Sequence, residues 1–172
     1  VHQMECDVNR NIKQITQMTQ EKQRLATELD LATKIQRGVL PKGYPAFPDC
    51  KSFDLFASMD PAKEVGGDLY DYHLLDDDHL MITVGDVSGK GVPAALFMMI
   101  VKTLLATHAK SGLPPAQIFQ TTNSQLCKNN VMDMFVTCWL GILTLSSGEL
   151  CYVNAGHPFP VLLREGNASF ID

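Results

Sequence analysis

Apolar residues recur every three to four positions through the first forty residues, and no proline interrupts them before Pro41. That spacing predicts one long helix over residues 1–40, closed by Leu40-Pro41. Placing Val1 at heptad position a puts Val8, Ile15 and Leu29 at later a sites, with Met4, Met18, Leu25, Ala32 and Val39 at d sites. Nine of the twelve a and d positions are apolar, the exceptions being Asn11, Lys22 and Gln36. The pattern fits a parallel coiled coil whose polar core residues set register, giving a homodimer through residues 1–40. A single amphipathic helix lying on its own domain is the competing arrangement. The Gln- and Thr-rich solvent face excludes a membrane-lying helix, which needs Lys and Arg there.

Proline and glycine punctuate residues 41–48, which makes that stretch a linker and 49–172 the domain behind it. Beyond the linker the period drops to two. Phe53–Met59 reads as a strand, followed by a loop over residues 60–67. Two apolar stretches, Leu69–Leu75 and Leu80–Val84, flank the polar cluster Asp76-Asp77-Asp78-His79. They predict a hairpin turning at Asp77, in which paired residue numbers sum to 154. Pro93 sits near the first turn of a helix running to about Lys110, where proline is tolerated. Gly112 and Pro114-Pro115 break the chain before a second helix from about Ala116 to Lys128. Strands follow at Met134–Leu145, Glu149–Asn154 and Phe159–Arg164. Helices in the middle flanked by antiparallel strands predict an α+β sandwich rather than a doubly wound parallel sheet.

The predicted register sets Asp68 opposite Asp86. Directly opposed side chains in an antiparallel pair stand about 5 Å apart, where like charges repel. Alternation assigns Tyr70, Tyr72, Leu74, Leu80, Ile82 and Val84 to the same face, which we expect to point into the core. Two anions at the rim of an apolar face either share a proton or bind a cation. Glycines beside both aspartates let the backbone approach a ligand closely. Carboxylate and carbonyl oxygens select Mg²⁺ or Mn²⁺ over zinc. A pair of such ions about 3.5–4 Å apart is the usual arrangement for hydrolysing phosphate esters. An ordinary turn closed by an Asx bond is the bland reading of Gly85-Asp86-Val-Ser-Gly89. A phosphate-binding loop is set aside, since Gly91 rather than Ser or Thr follows Lys90.

Composition narrows the classes. Hydrophobic content of 45% and charged content of 19% belong to a folded globular domain, and a net charge of −5 argues against nucleic acid. Five cysteines without a CxxC pair read as reduced thiols in a cytoplasmic protein. The longest apolar run, Pro93 to Ala106, is interrupted by Lys102 and reads as a core helix, so no membrane insertion is expected. The chain opens at Val1 inside a helical pattern and stops at Asp172 in a strand-like segment, the look of a fragment. Phe97, Met98, Met99 and Trp139 read as core. Asp71 reads as a surface or supporting group, Lys90 as a solvated loop lysine, and Ser88 as no nucleophile.

Four motifs now stand in order: Glu64-Val-Gly-Gly-Asp68-Leu-Tyr-Asp71, Gly85-Asp86-Val-Ser-Gly-Lys-Gly91, Ala94-Ala-Leu-Phe-Met98 and Asn154-Ala-Gly-His-Pro158. With Ala32-Thr-Lys-Ile35-Gln36 leading to Leu40-Pro41, they resemble the bacterial PPM-type (type 2C-like) serine/threonine phosphatases of the SpoIIE/RsbU group. The resemblance runs from Leu29 to about Leu163. It implies an α-β-β-α sandwich with two Mn²⁺ or Mg²⁺ ions between the sheets. The implied activity removes phosphate from phosphoserine or phosphothreonine, typically on an anti-sigma-factor antagonist. Carried over by motif, Asp86 matches the aspartate bridging both ions. Asp68 matches the aspartate holding the second ion, and the Val87 carbonyl matches that ion's backbone ligand. His157 orients its loop or a substrate phosphate, or is simply a structural histidine in a tight turn. The resemblance also implies two later metal-ligand aspartates, one in a Thr-Asp-Gly-type loop. After Asp86 the chain has only Asp133, Glu149, Glu165 and Asp172, none in a matching motif. The expectation is a C-terminally truncated domain with impaired metal binding, acting in the cytoplasm or as the cytoplasmic part of a larger sensor and controlled through residues 1–40. The alternative is a non-catalytic pseudophosphatase that binds a partner and signals by dimerising.

Overall fold

The computed structural model describes residues 2–60, 64–128, 130 and 132–171. Val1 and Asp172, together with part of the expected 60–67 loop, lie outside them. The apolar repeat at the start forms one helix, α1 (His2–Val39). Its side chains Met4, Val8, Ile12, Ile15, Met18 and Leu25 are exposed, so the apolar stripe is not spent on this chain's own domain.

Four strands make one antiparallel sheet in sequence order: β1 (Leu69–Leu74), β2 (His79–Val87), β3 (Val136–Thr144) and β4 (Leu150–Ala155). A separate two-stranded sheet pairs β5 (Val161–Arg164) with β6 (Asn167–Phe170). Helices α2 (Val92–Lys110) and α3 (Pro115–Lys128) join β2 to β3. The β1–β2 register runs from Leu69 opposite Gly85 to Leu74 opposite Leu80, so the paired numbers sum to 154 as the sequence predicted. The turn is fixed by Asp76, whose Oδ1 accepts the backbone N–H groups of Asp78 and His79, each at 2.8 Å. This is the local bond that short acidic side chains make in turns.

Tyr72 and Leu80 of the expected face are buried, but the cluster that packs against the helices lies on the opposite sheet face. Leu69, Met81, Val87, Cys138 and Leu140 pack against Ala94, Met98, Val101 and Leu105 of α2 and Ile118 of α3. These strand residues alternate with Tyr70, Tyr72, Ile82 and Val84, whose face lies away from the helices. The face toward the helices carries Asp71, His73 and Thr83 beside Leu69, Met81 and Val87, so alternation favours the other face and only the packing of the helices reveals this one. Part of the second face is covered by the linker side of the chain. Phe47 meets Tyr72 edge-on at 5.6 Å between ring centroids, and Tyr70 donates its hydroxyl to the Pro41 carbonyl at 2.7 Å.

The inverted face also corrects Asp71, which is buried rather than on the surface. Its Oδ2 meets Lys102 Nζ and His73 Nε2, both at 2.8 Å. Burial opposes ionisation, but the hydrogen bonds from His73 and Lys102 outweigh it and hold the carboxyl below the usual carboxylate range. Lys102 was read as an interruption of the apolar run. It is instead the partner of a buried anion.

Two further expectations shift. Phe53–Met59 alternates in exposure as a strand would, yet it forms no ladder among the described residues. Helix α2 is long and apolar enough to cross a membrane by length and composition. Its buried residues, from Ala94 to Ala109, pack on the sheet, so it serves as a core helix. The core assignments of Met98 and Trp139 hold, with exposures of 0% and 7%.

Candidate functional site

Asp68 immediately precedes β1, and Asp86 lies one residue before the end of β2. Continuing the hairpin register by one step beyond Leu69–Gly85 brings them side by side, and their carboxyl groups are close enough to hydrogen-bond. Desolvation raises the pKa of Asp68 first, and the charge and hydrogen bond of Asp86 raise it further. His157 acts in the opposite direction. A proton shared between the two is what a carboxylate pair without a cation requires.

Backbone packing beside the pair is tight. The Val87 N–H donates to the Gly67 carbonyl at 3.3 Å. A Cβ placed on Gly67 would stand 2.7 Å from the Val87 carbonyl oxygen, so only glycine lets these two strands of chain approach. The Val87 oxygen is thereby held next to the residue that precedes Asp68. On the far side, Ser88 N–H donates to the Phe135 carbonyl at 2.8 Å, and Phe135 N–H donates to Ser88 Oγ at 2.9 Å. Ser88 thereby ties the loop to the residue that precedes β3. Lys90 is exposed, as expected.

The loop carrying Asp68 is also gripped by α1. Gln36 Nε2 donates to the Gly66 carbonyl at 2.6 Å, and Gln36 Oε1 accepts the Gly66 N–H at 3.2 Å. Thr33 Oγ1 donates to the Glu64 carbonyl at 2.8 Å. Gln36 is one of the polar exceptions in the heptad pattern, and its exposure is 2%. Sequence reasoning gave it a role in coiled-coil register and missed this contact. The signal was available: a glutamine on the apolar stripe close to the helix end.

Asp68, Asp86 and His157 line a cleft of about 550 Å³, together with Phe56, Met59 and Tyr70. The two carboxylates are hard oxygen donors of the kind that Mg²⁺ or Mn²⁺ takes, while Val87 is not among the residues lining the cleft. Among the described residues no group of three or more His, Cys, Asp or Glu side chains gathers into a metal cage. Asp133, Glu149 and Glu165 do not join the pair among the cleft's lining residues.

Comparison with known proteins places the chain in a family. The family model for Stage II sporulation protein E matches residues 76–172, more than half of the chain. Protein IcfG of Synechocystis is 32% identical over 81% of this chain, which spans 26% of that protein. Phosphoserine phosphatase RsbU of Bacillus subtilis is 29% identical over 87% of this chain, which spans 44% of that protein. The solved SiaA-PP2C domain of Pseudomonas aeruginosa superimposes with a TM-score of 0.64 at 26% identity, covering 77% of this chain and 54% of that one. The chain thus spans about half or less of the relatives it matches. It belongs to the SpoIIE family and carries the fold of its PP2C-like domains.

Proposed function

We propose that this chain is part of a metal-dependent protein serine/threonine phosphatase that removes phosphate from a regulatory protein of the anti-sigma-factor-antagonist kind. The observation that carries the reading is the adjacent pair Asp68 and Asp86, whose mutual repulsion a divalent cation would relieve. Asp68, Asp86 and the Val87 carbonyl would hold Mn²⁺ or Mg²⁺, and the ions would supply an acidified water for phosphate-ester hydrolysis. The chain's own part is to orient these oxygens and keep them close. The likeness to a protein named as a phosphoserine phosphatase supports the reaction class.

The same proposal divides the chain into a signalling helix over 1–40, a linker over 41–48 and the phosphatase domain over 49–172, in a cytoplasmic protein. Control through the helix is supported by the Gln36 contact with Gly66, two residues before Asp68. Dimerisation through that helix is supported by its exposed apolar stripe.

A second reading, a non-catalytic module that binds a partner and signals by dimerising, draws on the small donor set among the described residues. One experiment separates the two. Hydrolysis of an aryl phosphate that depends on Mn²⁺ and disappears in Asp86→Asn supports the enzyme. Activity that survives the substitution overturns the assignment of Asp86, and no activity with any divalent ion from the complete parent protein favours the module.

A further inference from the structure

The exposure of α1 changes abruptly along its length. Every residue from Val8 to Glu28 is exposed, on all sides of the helix. From Leu29 onward one stripe sinks. Leu29, Ala32, Thr33, Gln36, Val39 and Leu40 are buried or half-buried, while Leu31, Lys34, Ile35 and Arg37 between them stay exposed. Spacings of three and four residues put the sunken stripe on one side of the helix. That side continues the apolar stripe upstream. In the heptad frame with Val8 and Ile15 at a and Met4, Met18 and Leu25 at d, Leu29 and Gln36 extend the a row, and Ala32 and Val39 extend the d row. One seam is therefore open along Met4–Leu25 and covered by this chain's own domain from Leu29 on.

The cover is the loop before Asp68. Thr33 Oγ1 donates to the Glu64 carbonyl at 2.8 Å, and Gln36 bonds both backbone polar groups of Gly66. A helix packed on the seam would hold its axis about 8–10 Å from that of α1. Atoms bonded to the Gln36 amide lie at the same depth, so the loop and a second helix cannot both be there.

The open part fits a second copy of this chain. In a parallel, in-register pair each g residue faces the e residue of the following heptad in the other copy. These pairs are Asp7 with Ile12, Gln14 with Thr19 and Glu21 with Ala26, and none sets like charges together. An antiparallel pair would lay one g row against the other, with Asp7, Glu21 and Glu28 in both. Ile12, exposed at e, widens the apolar seam. Asn11 at d and Lys22 at a meet their own copies, and polar residues within a seam fix register at a cost in stability.

We propose that the a/d face of α1 is divided between two occupants, a second copy's helix along Met4–Leu25 and this chain's own domain from Leu29 on. This rests on the dimerisation reading above and adds where the seam stops and what stops it. Pairing and docking compete for one face. A seam that zips past Leu29 has to take Thr33 and Gln36 off the loop that presents Asp68.

The test is disulfide cross-linking at three d positions, in the whole chain with every cysteine except the buried Cys138 replaced by Ser. Met18→Cys, Leu25→Cys and Ala32→Cys share one heptad position, so a seam running the full helix would cross-link all three alike. The expected result is a covalent dimer for Met18→Cys and Leu25→Cys on mild oxidation and none for Ala32→Cys, with all three dimeric by light scattering when reduced. Ala32→Cys that cross-links as readily as Met18→Cys overturns the inference and leaves dimerisation standing. So does a dimer in which none of the three cross-links, because the second copy then sits elsewhere. A parent that is monomeric at high micromolar concentration overturns the dimerisation reading and the inference with it.

Discussion

Gln36 holds both backbone polar groups of Gly66, donating to its carbonyl at 2.6 Å and accepting its N–H at 3.2 Å. A helix that begins at His2 is therefore bonded to the loop that presents Asp68. Gln36 is buried, so removing it leaves two backbone groups without partners. Gln36→Ala is expected to lower unfolding stability by about 2–3 kcal/mol and to weaken Mn²⁺ binding. Urea unfolding and calorimetric Mn²⁺ titration measure the two effects. Lower stability with unchanged Mn²⁺ affinity would separate the helix from the site.

Asp68 carries a raised pKa, caused by desolvation and then by the Asp86 charge. A carboxyl whose folded pKa lies above its unfolded value favours the fold at acid pH, and that contribution is lost as pH rises through the folded value. Metal-free Asp68→Asn is accordingly expected to melt above its parent at pH 7, with the gap closing below the ordinary aspartate range. Mn²⁺ is expected to raise the melting temperature of the parent more than that of the variant. Thermal melts in chelator and in Mn²⁺ across pH read both. A parent that melts above the variant in chelator at pH 7 would remove the case for repulsion at this pair.

Asp71 and Lys102 form a buried ion pair between β1 and α2, with His73 on the same oxygen. Breaking one side of such a pair leaves a charge without compensation and costs about 3–5 kcal/mol. Asp71→Asn should therefore destabilise strongly, while Asp71→Leu combined with Lys102→Met should recover most of the loss. The depressed pKa of Asp71 gives the opposite pH sign from Asp68. Its contribution is complete above the ordinary aspartate pKa and disappears as pH falls through the depressed value. Denaturant melts at neutral and acid pH test the magnitude and the sign together.

The exposed stripe Met4, Val8, Ile15, Met18 and Leu25 falls on a and d positions of one heptad frame. A dimer at micromolar concentration is expected, and Ile15→Asp with Met18→Asp should dissociate it. Light scattering that gives a monomer for the parent at high micromolar concentration ends the coiled-coil reading.

The hairpin register was legible because its turn carries strong local chemistry, three acids whose first caps the turn at Asp76. Helix ends were legible for the same kind of reason, with Pro93 and Gly112 acting locally. The face packed against the helices was not, because alternation favoured the side of Tyr72 and Leu80, which is buried only in part. Asp71 was misplaced as a direct consequence. Its partner lies 31 positions away on α2, a pairing that periodicity does not encode. Asp68 and Asp86 were found through register. Gln36 left a trace, a glutamine on the apolar stripe near the helix end, but its partner Gly66 lies on a loop that meets it across the fold, which spacing does not encode.

At about 1.5 Å per residue, the 38 residues of α1 make a rod roughly 57 Å long. Its last turns meet the domain, where Thr33 and Gln36 bond the loop before Asp68. Such a rod has an angular phase as well as a position. Turning it by a single residue, about 100°, would swing the glutamine amide away from Gly66 altogether. Rotation about the helix axis is therefore a coordinate to which the Asp68 loop is sensitive, and one residue inserted upstream of Thr33 resets it for everything attached beyond.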